Sequence, residues 1–340
     1  MFKGLSRHLI EGALLLAMLT SGAAQAAEKR DLIIDTDPGA DDVVALLLAL
    51  ASPEELNVMA ITTVAGNVRL DKTSRNARLA REWAGREDVP VYAGAPRPLV
   101  RTPIYAENVH GQEGLPGVPV HEPAKGLEQG NAVDYLIRTL SEAKPHSITI
   151  AMLGPQTNLA LALTQASEIT QGIKEVVVMG GAHFNGGNIT PVAEFNLYAD
   201  PHAAQIVLAS GVKLTYIPLD VTHKILTSEA RLKQIASLGN RAGGLVGDIL
   251  NEYVKLDMEH YGLPGGPVHD ASVMAWLLKP ELFSGRQINV AIDSREGLGF
   301  GQTVADWYGT LDQPRNVCWI ADGDAQGFFD LLTARLARLK

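Results

Sequence analysis

Cysteine is nearly missing: the 340 residues hold one, Cys318. A lone thiol cannot close an internal disulfide, which excludes a disulfide-stapled scaffold. Its place in the apolar run Val317-Cys318-Trp319-Ile320 reads as a small core residue. Basic charge is also in deficit, with 29 lysines and arginines against 38 acidic residues and a formal balance of −9. No basic stripe offers phosphate a surface, so nucleic acid is not an expected partner. Past the amino-terminal segment no apolar run is long enough to cross a bilayer. No internal repeat recurs, and no linker divides the chain.

The first residues carry a different pattern. Lys3, Arg7 and His8 make a basic start, and residues 13–19 form a short apolar run, interrupted on its leading side by Glu11. Ala24-Gln25-Ala26 then supplies an A-x-A cleavage pattern. The run is too short to span a membrane, so an export signal over residues 1–26 is favoured over a buried N-terminal helix. One large domain is expected over residues 27–340. Export without a disulfide framework points to a periplasmic or secreted protein with no membrane attachment after cleavage.

Apolar runs then alternate with helical stretches. Strand-like segments fall at 32–34, 56–64, 89–92, 147–153, 175–179, 214–219, 288–292 and 316–320. Helical periodicity marks 43–50, 69–83, 131–142, 157–164, 200–210, most of 228–261, 271–278 and 327–339. This is the βαβ pattern, which predicts a Rossmann-like α/β domain with an open, mainly parallel sheet and helices on both faces. Such sheets bind ligands at the carboxyl ends of their strands. Asp37, Asn67, Leu153 and Met179 all stand at or just past such ends, so they are expected to converge on one crevice. Residues 94–130 form a long loop rich in Pro and Gly, read as functional or mobile. It carries Asn108-Val109-His110-Gly111.

The most informative stretch is Asp35-Thr36-Asp37-Pro38-Gly39-Ala40-Asp41-Asp42. Asp35 and Asp37 share a face of an extended chain, Pro38-Gly39 end the strand, and Asp41 and Asp42 meet the positive end of a helix. Four carboxylates crowded at one strand end raise one another's pKa. A hard cation bound by acceptor-only oxygens keeps them ionised, and Ca2+ fits that description. The spacing lacks the terminal glutamate of an EF-hand. It also departs from a haloacid-dehalogenase phosphatase, where Gly-Thr or Gly-Val follows the second aspartate. Two later clusters are candidates. Met179-Gly180-Gly181, Asn188 and Glu194-Phe195-Asn196 place amides and carboxylates suited to sugar hydroxyls, although asparagines also serve ordinary turns. His269-Asp270 opens a helix, where Asp270 could be a plain cap.

Together with Thr63-Val64-Ala65-Gly66-Asn67 and Pro267-Val268-His269-Asp270, these motifs strongly resemble the inosine-uridine-preferring nucleoside hydrolases, over essentially the whole chain after the signal. The resemblance implies the nucleoside hydrolase fold, a bound Ca2+, and hydrolysis of ribonucleosides to ribose and free base. It implies Asp37, Asp42 and Asp270 as side-chain Ca2+ ligands, with the backbone carbonyl of Leu153. Asp37 doubles as the base toward a water held on the cation. Asp41, Asn67, Asn188, Glu194 and Asn196 match the ribose-binding set, with Met179 lining the sugar pocket. His110 and His269 sit where family members contact the base, as does Asp257. A dimer or tetramer is implied as well.

The chemistry agrees with this allocation. Breaking an N-glycosidic bond develops positive charge on the ribose, which an anionic pocket stabilises. The departing base needs a proton, and a histidine titrating near neutrality suits that task, with His269 the candidate. Tyr261 could complete a relay or be a buried ring at a helix end. At His269 the chain resembles the non-specific subgroup of the family rather than the purine-specific one, which implies a broad base preference. His223, after the strand end at Asp220, reads as structural. The rival function is an exported protein that captures nucleosides without cleaving them.

Overall fold

The run Leu32-Ile33-Ile34 is apolar on both sides of the chain, as a strand covered by helices on both faces must be. In the computed structural model, which describes residues 29–340 apart from the side chains of Leu256, Asp257, His260 and Tyr261, this run is wholly buried. The expected signal over residues 1–26 and the side-chain roles of Asp257 and Tyr261 thus lie outside the described residues.

The strands are β1 (Arg30–Thr36), β2 (Leu56–Thr63), β3 (Val91–Ala93), β4 (Ile148–Met152), β5 (Ile173–Met179), β6 (Leu214–Ile217), β7 (Phe283–Ile292), β8 (Thr303–Asp306) and β9 (Val317–Gly323). They form one sheet in the order β3-β2-β1-β4-β5-β6-β9-β7-β8. β1 is third from one edge, parallel to β2 and β4, and only β7 runs antiparallel to its neighbours β8 and β9. The expected open, mainly parallel α/β sheet is the observed architecture. One apolar layer packs helices Ala40–Leu50, Leu70–Trp83, Arg241–Tyr261, His269–Leu278 and Ala325–Leu336 on one face. Helices Ala132–Glu142, Thr157–Gln165 and Pro201–Ala209 pack on the other.

Every residue of Ala40–Leu50 is buried, including Asp41 and Asp42. The Val-Val-Ala-Leu-Leu-Leu-Ala-Leu run supplies apolar side chains all round, so its polar first turn can be held only by internal partners. The helical stretch at 228–261 divides at Gly239-Asn240 into Glu229–Ala236 and Arg241–Tyr261, and the Asn240 side chain caps the second helix. Not expected from the sequence are β8, the short helices Glu107–His110, Phe195–Ala199 and Leu219–Thr222, and the early start of β7. The 94–130 loop is tied down along its length. Leu99 N–H donates to Asp200 (2.8 Å), Ala106 N–H to the Asn67 carbonyl (2.9 Å), and Arg81 to the carbonyls of Lys125 and Gly126 (2.7 and 2.8 Å).

Candidate active site

The carboxyl ends of β1, β2, β4 and β5 open onto one cavity. Ten residues expected from the sequence line it: Asp41, Asn67, His110, Leu153, Met179, Asn188, Glu194, Asn196, His269 and Asp270. Asp37 and Asp42 are fully enclosed beside it. The predicted convergence of strand ends is therefore realised.

Each carboxylate is held by local geometry. Asp42 is the third residue of its helix and accepts the N–H of the capping Gly39 (3.0 Å), half of a capping box. Its oxygens also take the Thr36 hydroxyl and the Asn67 amide (2.8 Å). Asp37 accepts the Asn67 backbone N–H through Oδ2 (2.7 Å), while its buried Oδ1 meets no hydrogen-bond partner. Gly66 and Gly154 make room for it: a Cβ on Gly154 would stand 2.3 Å from Asp37 Oδ1, and one on Gly66 would stand 2.0 Å from Oδ2. Asp41 accepts the Asp270 N–H (3.4 Å) across the gap between two helix starts.

Oxygens of Asp41, Asp42 and Asp270 lie within 4.8 Å of one another, so these three can share one cation; Asp42 and Asp270 belong to the expected ligand set, while Asp41 stands in this trio where Asp37 was expected. Burial pushes Asp37, Asp42 and Asp270 above the carboxylate range, and mutual repulsion adds to it at Asp37 and Asp270. Asp35 does not join them, although strand alternation suggested it would. Its Oδ2 accepts Thr62 (2.6 Å) and Asn158 (2.8 Å), tying β1 to β2 and the helix Thr157–Gln165. Burial raises it to about 7.

The sugar-side set is equally ordered. Glu194 caps the helix Phe195–Ala199 and accepts backbone N–H groups of Asn196 (2.7 Å), Gly181 (3.1 Å) and Leu197 (3.2 Å). Burial nevertheless lifts its carboxyl to about 7. Asn196 donates to the Leu153 carbonyl (2.7 Å) and to that of Met179 (3.3 Å), and the Asn188 side chain accepts the Phe195 N–H (2.8 Å). Two histidines stand at the cavity. His110 Nδ1 accepts the Ala40 N–H (3.1 Å), its ring stacks on Tyr253 at 5.5 Å, and burial lowers its pKa to about 3. His269 Nδ1 is 2.7 Å from the Thr222 hydroxyl.

The near-neutral titration expected of His269 is not what this environment supports. Burial first, then the neighbouring His223 and His110, hold it well below the ordinary histidine range, so the ring is neutral. Sequence reading missed the wall formed by Ala106, Asn108, Val109, Ile189, Phe195 and Tyr253. Asn108 and Val109 adjoin His110, Ile189 follows Asn188, and Phe195 stands between Glu194 and Asn196, so chain proximity was the available signal. Tyr253 carried none, because an aromatic in a helical period is ordinarily core.

Comparison with known proteins follows the same line. Residues 32–330 match the family model described as inosine-uridine preferring nucleoside hydrolase. An uncharacterized protein of Schizosaccharomyces pombe is 46% identical over 91% of this chain and 99% of its own length. The pyrimidine-specific ribonucleoside hydrolase RihA of Salmonella schwarzengrund is 43% identical, over 90% of this chain and 97% of its own. Among solved structures, the purine-preferring ribonucleoside hydrolase from Gardnerella vaginalis superposes with a TM-score of 0.84 at 31% identity, covering 91% of this chain and 98% of that one.

Proposed function

The chain belongs to the inosine-uridine preferring nucleoside hydrolase family and is an enzyme of that glycosylase class, and on that premise we propose how its residues hydrolyse the N-glycosidic bond of purine and pyrimidine ribonucleosides. The observation that carries the reading is the group of buried, mutually repelling carboxylates beside a cavity whose other wall is Asn67, Asn188, Glu194 and Asn196. This arrangement holds more negative charge than its neighbours neutralise, and it leaves Asp37 Oδ1 without a donor. A divalent cation fits both facts. Acceptor-only oxygens favour Ca2+, with Asp37, Asp42 and Asp270 and the Leu153 carbonyl as its ligands. When bound, it supplies Lewis acidity toward water and an anchor for ribose hydroxyls.

The chain's own residues do the rest. Asp41, Asn67, Asn188, Glu194 and Asn196 orient the ribose, and Met179 lines its pocket. Asp37 takes a proton from the attacking water as the C1′–oxygen bond forms. The C1′–nitrogen bond breaks with its electron pair leaving on the base, and positive charge on the ribose is met by the acidic floor. On the base side His110 and His269, both neutral, serve as hydrogen-bond donors to the departing group. A pure capture protein could use the same cation site but needs no base toward water, so the role given to Asp37 is what separates the two readings. A broad base preference is part of the proposal and rests on the resemblance at His269.

Export through residues 1–26 to the periplasm or beyond, and assembly as a dimer or tetramer, complete the proposal. The deciding assay is reducing-sugar release from inosine and uridine. Release with Ca2+ that stops on chelation and returns on re-addition is expected; nucleoside binding without release would overturn the reading.

A further inference from the structure

The short helix Leu219–Thr222 lies at the end of β6 and faces the start of the helix His269–Leu278. It is firmly held. Asp220 accepts the Trp319 indole N–H (3.0 Å) and three successive backbone N–H groups, those of His183 (3.1 Å), Phe184 (2.7 Å) and Asn185 (3.1 Å). Two residues on, Thr222 is wholly buried, and its hydroxyl has one hydrogen-bond partner among the described residues, His269 Nδ1 at 2.7 Å. The His269 ring lines the cavity. With Nδ1 engaged, Nε2 is the nitrogen left to face it.

We infer that Thr222 is a positioning residue that keeps a hydrogen on Nε2 of His269, so that the ring always meets the leaving base as a donor. The inference rests on the base-side role given to His269 above. In the neutral ring the threonine O–H donates to Nδ1. The reverse arrangement would leave a buried hydroxyl hydrogen with no described acceptor, the costlier of the two. In a protonated ring Nδ1–H donates to the same hydroxyl oxygen. Nε2 carries hydrogen in both states. A carboxylate or carbonyl in place of Thr222 would accept only, fix the hydrogen on Nδ1 and leave a neutral Nε2 bare.

His110 reaches the same condition by another route. Its Nδ1 accepts a backbone N–H, which can only donate, so its hydrogen is also on Nε2. Two imidazoles thus present donors to the cavity. The matching substrate class has an acceptor beside the breaking bond that gains negative charge as it breaks. Pyrimidine O2 and purine N3 are such acceptors.

The test uses the full, Ca2+-loaded chain with 15N-histidine, the His269 signals being assigned from their loss in His269→Ala. Wild type and Thr222→Ser should show a protonated Nε2, and Thr222→Val a mixture of tautomers. Turnover of uridine and inosine by Thr222→Val should fall on the order of ten- to a hundredfold. Turnover of a nitrophenyl riboside, whose leaving group needs no donor, should stay within about threefold, which also reports an intact fold. Thr222→Ser should recover most of the loss. A wild-type ring protonated on Nδ1, or a Thr222→Val ring with unchanged tautomer, would overturn the inference. Equal losses on both substrates would do the same. If His269→Ala slows both substrates alike, the base-side role of His269 fails instead, while the ring nitrogens still decide what Thr222 does.

Discussion

Gly154 offers the sharpest perturbation of the site. Its φ is not in the left-handed region, so alanine is allowed there conformationally and the whole effect is one of space. The added Cβ would lie 2.3 Å from Asp37 Oδ1 and 2.7 Å from its Cγ, about 1 Å inside a normal non-bonded contact. Asp37 cannot swing aside on its other flank, where Asn67 N–H holds Oδ2 and Gly66 leaves no slack. The carboxylate or the β4 end must shift by about that overlap. Overpacking of this kind costs about 1–3 kcal/mol of stability, a few degrees in Tm for a domain of this size. A catalytic group displaced by ~1 Å loses on the order of a hundredfold in rate. Gly154→Ala should therefore show kcat for uridine down by about two orders of magnitude with a modest drop in Tm. Gly244→Ala is the control: it sits within the helix Arg241–Tyr261, has open space around it, and should gain up to about 1 kcal/mol. If Gly154→Ala turns over within threefold of wild type, the account of a wedged Asp37 is wrong.

Other expectations follow from the same geometry. Asp37→Ala should abolish nucleoside turnover, and a kcat within about tenfold of wild type (roughly 1.4 kcal/mol) would refute its role as base. Glu194 titrates at about 7 in the folded chain against an ordinary 4.5, so between those values the native state keeps a proton that the unfolded state has lost. Its contribution to stability is complete below about pH 4.5 and is lost as pH rises toward 7, to the extent of about 3 kcal/mol. Urea midpoints in EDTA should fall over that interval, and Glu194→Gln should flatten part of the fall; an unchanged slope would contradict the assignment. Removing residues 1–26 should leave activity intact, whereas an insoluble, inactive truncation would count against a cleaved signal.

Much of this architecture was legible because the strands are buried on both faces. Runs such as Leu32-Ile33-Ile34 and Val176-Val177-Val178 admit few other readings, and the turn residues after them mark the strand ends where the cavity lies. The acidic motif was legible for a different reason, since four carboxylates in eight positions demand an explanation. What escaped notice depended on long-range contacts. Alternation along β1 sets Asp35 and Asp37 on one face, yet tertiary partners, Thr62 and Asn158, draw Asp35 into a structural knot. β8 has four residues within a glycine-rich stretch and is defined by its pairing with β7 rather than by its composition. The neutral state of His269 comes from burial and from two other histidines, one 159 positions away in the chain, which no local pattern encodes.

The enclosure of Ala40–Leu50 on every side has a practical corollary. An engineer retuning base selectivity would find no tolerant position along this rod, because any altered side chain disturbs the packing that seats Asp41 and Asp42. Asn108 and Ile189, by contrast, have exposed side chains at the rim of the cavity, so libraries for new leaving groups belong there.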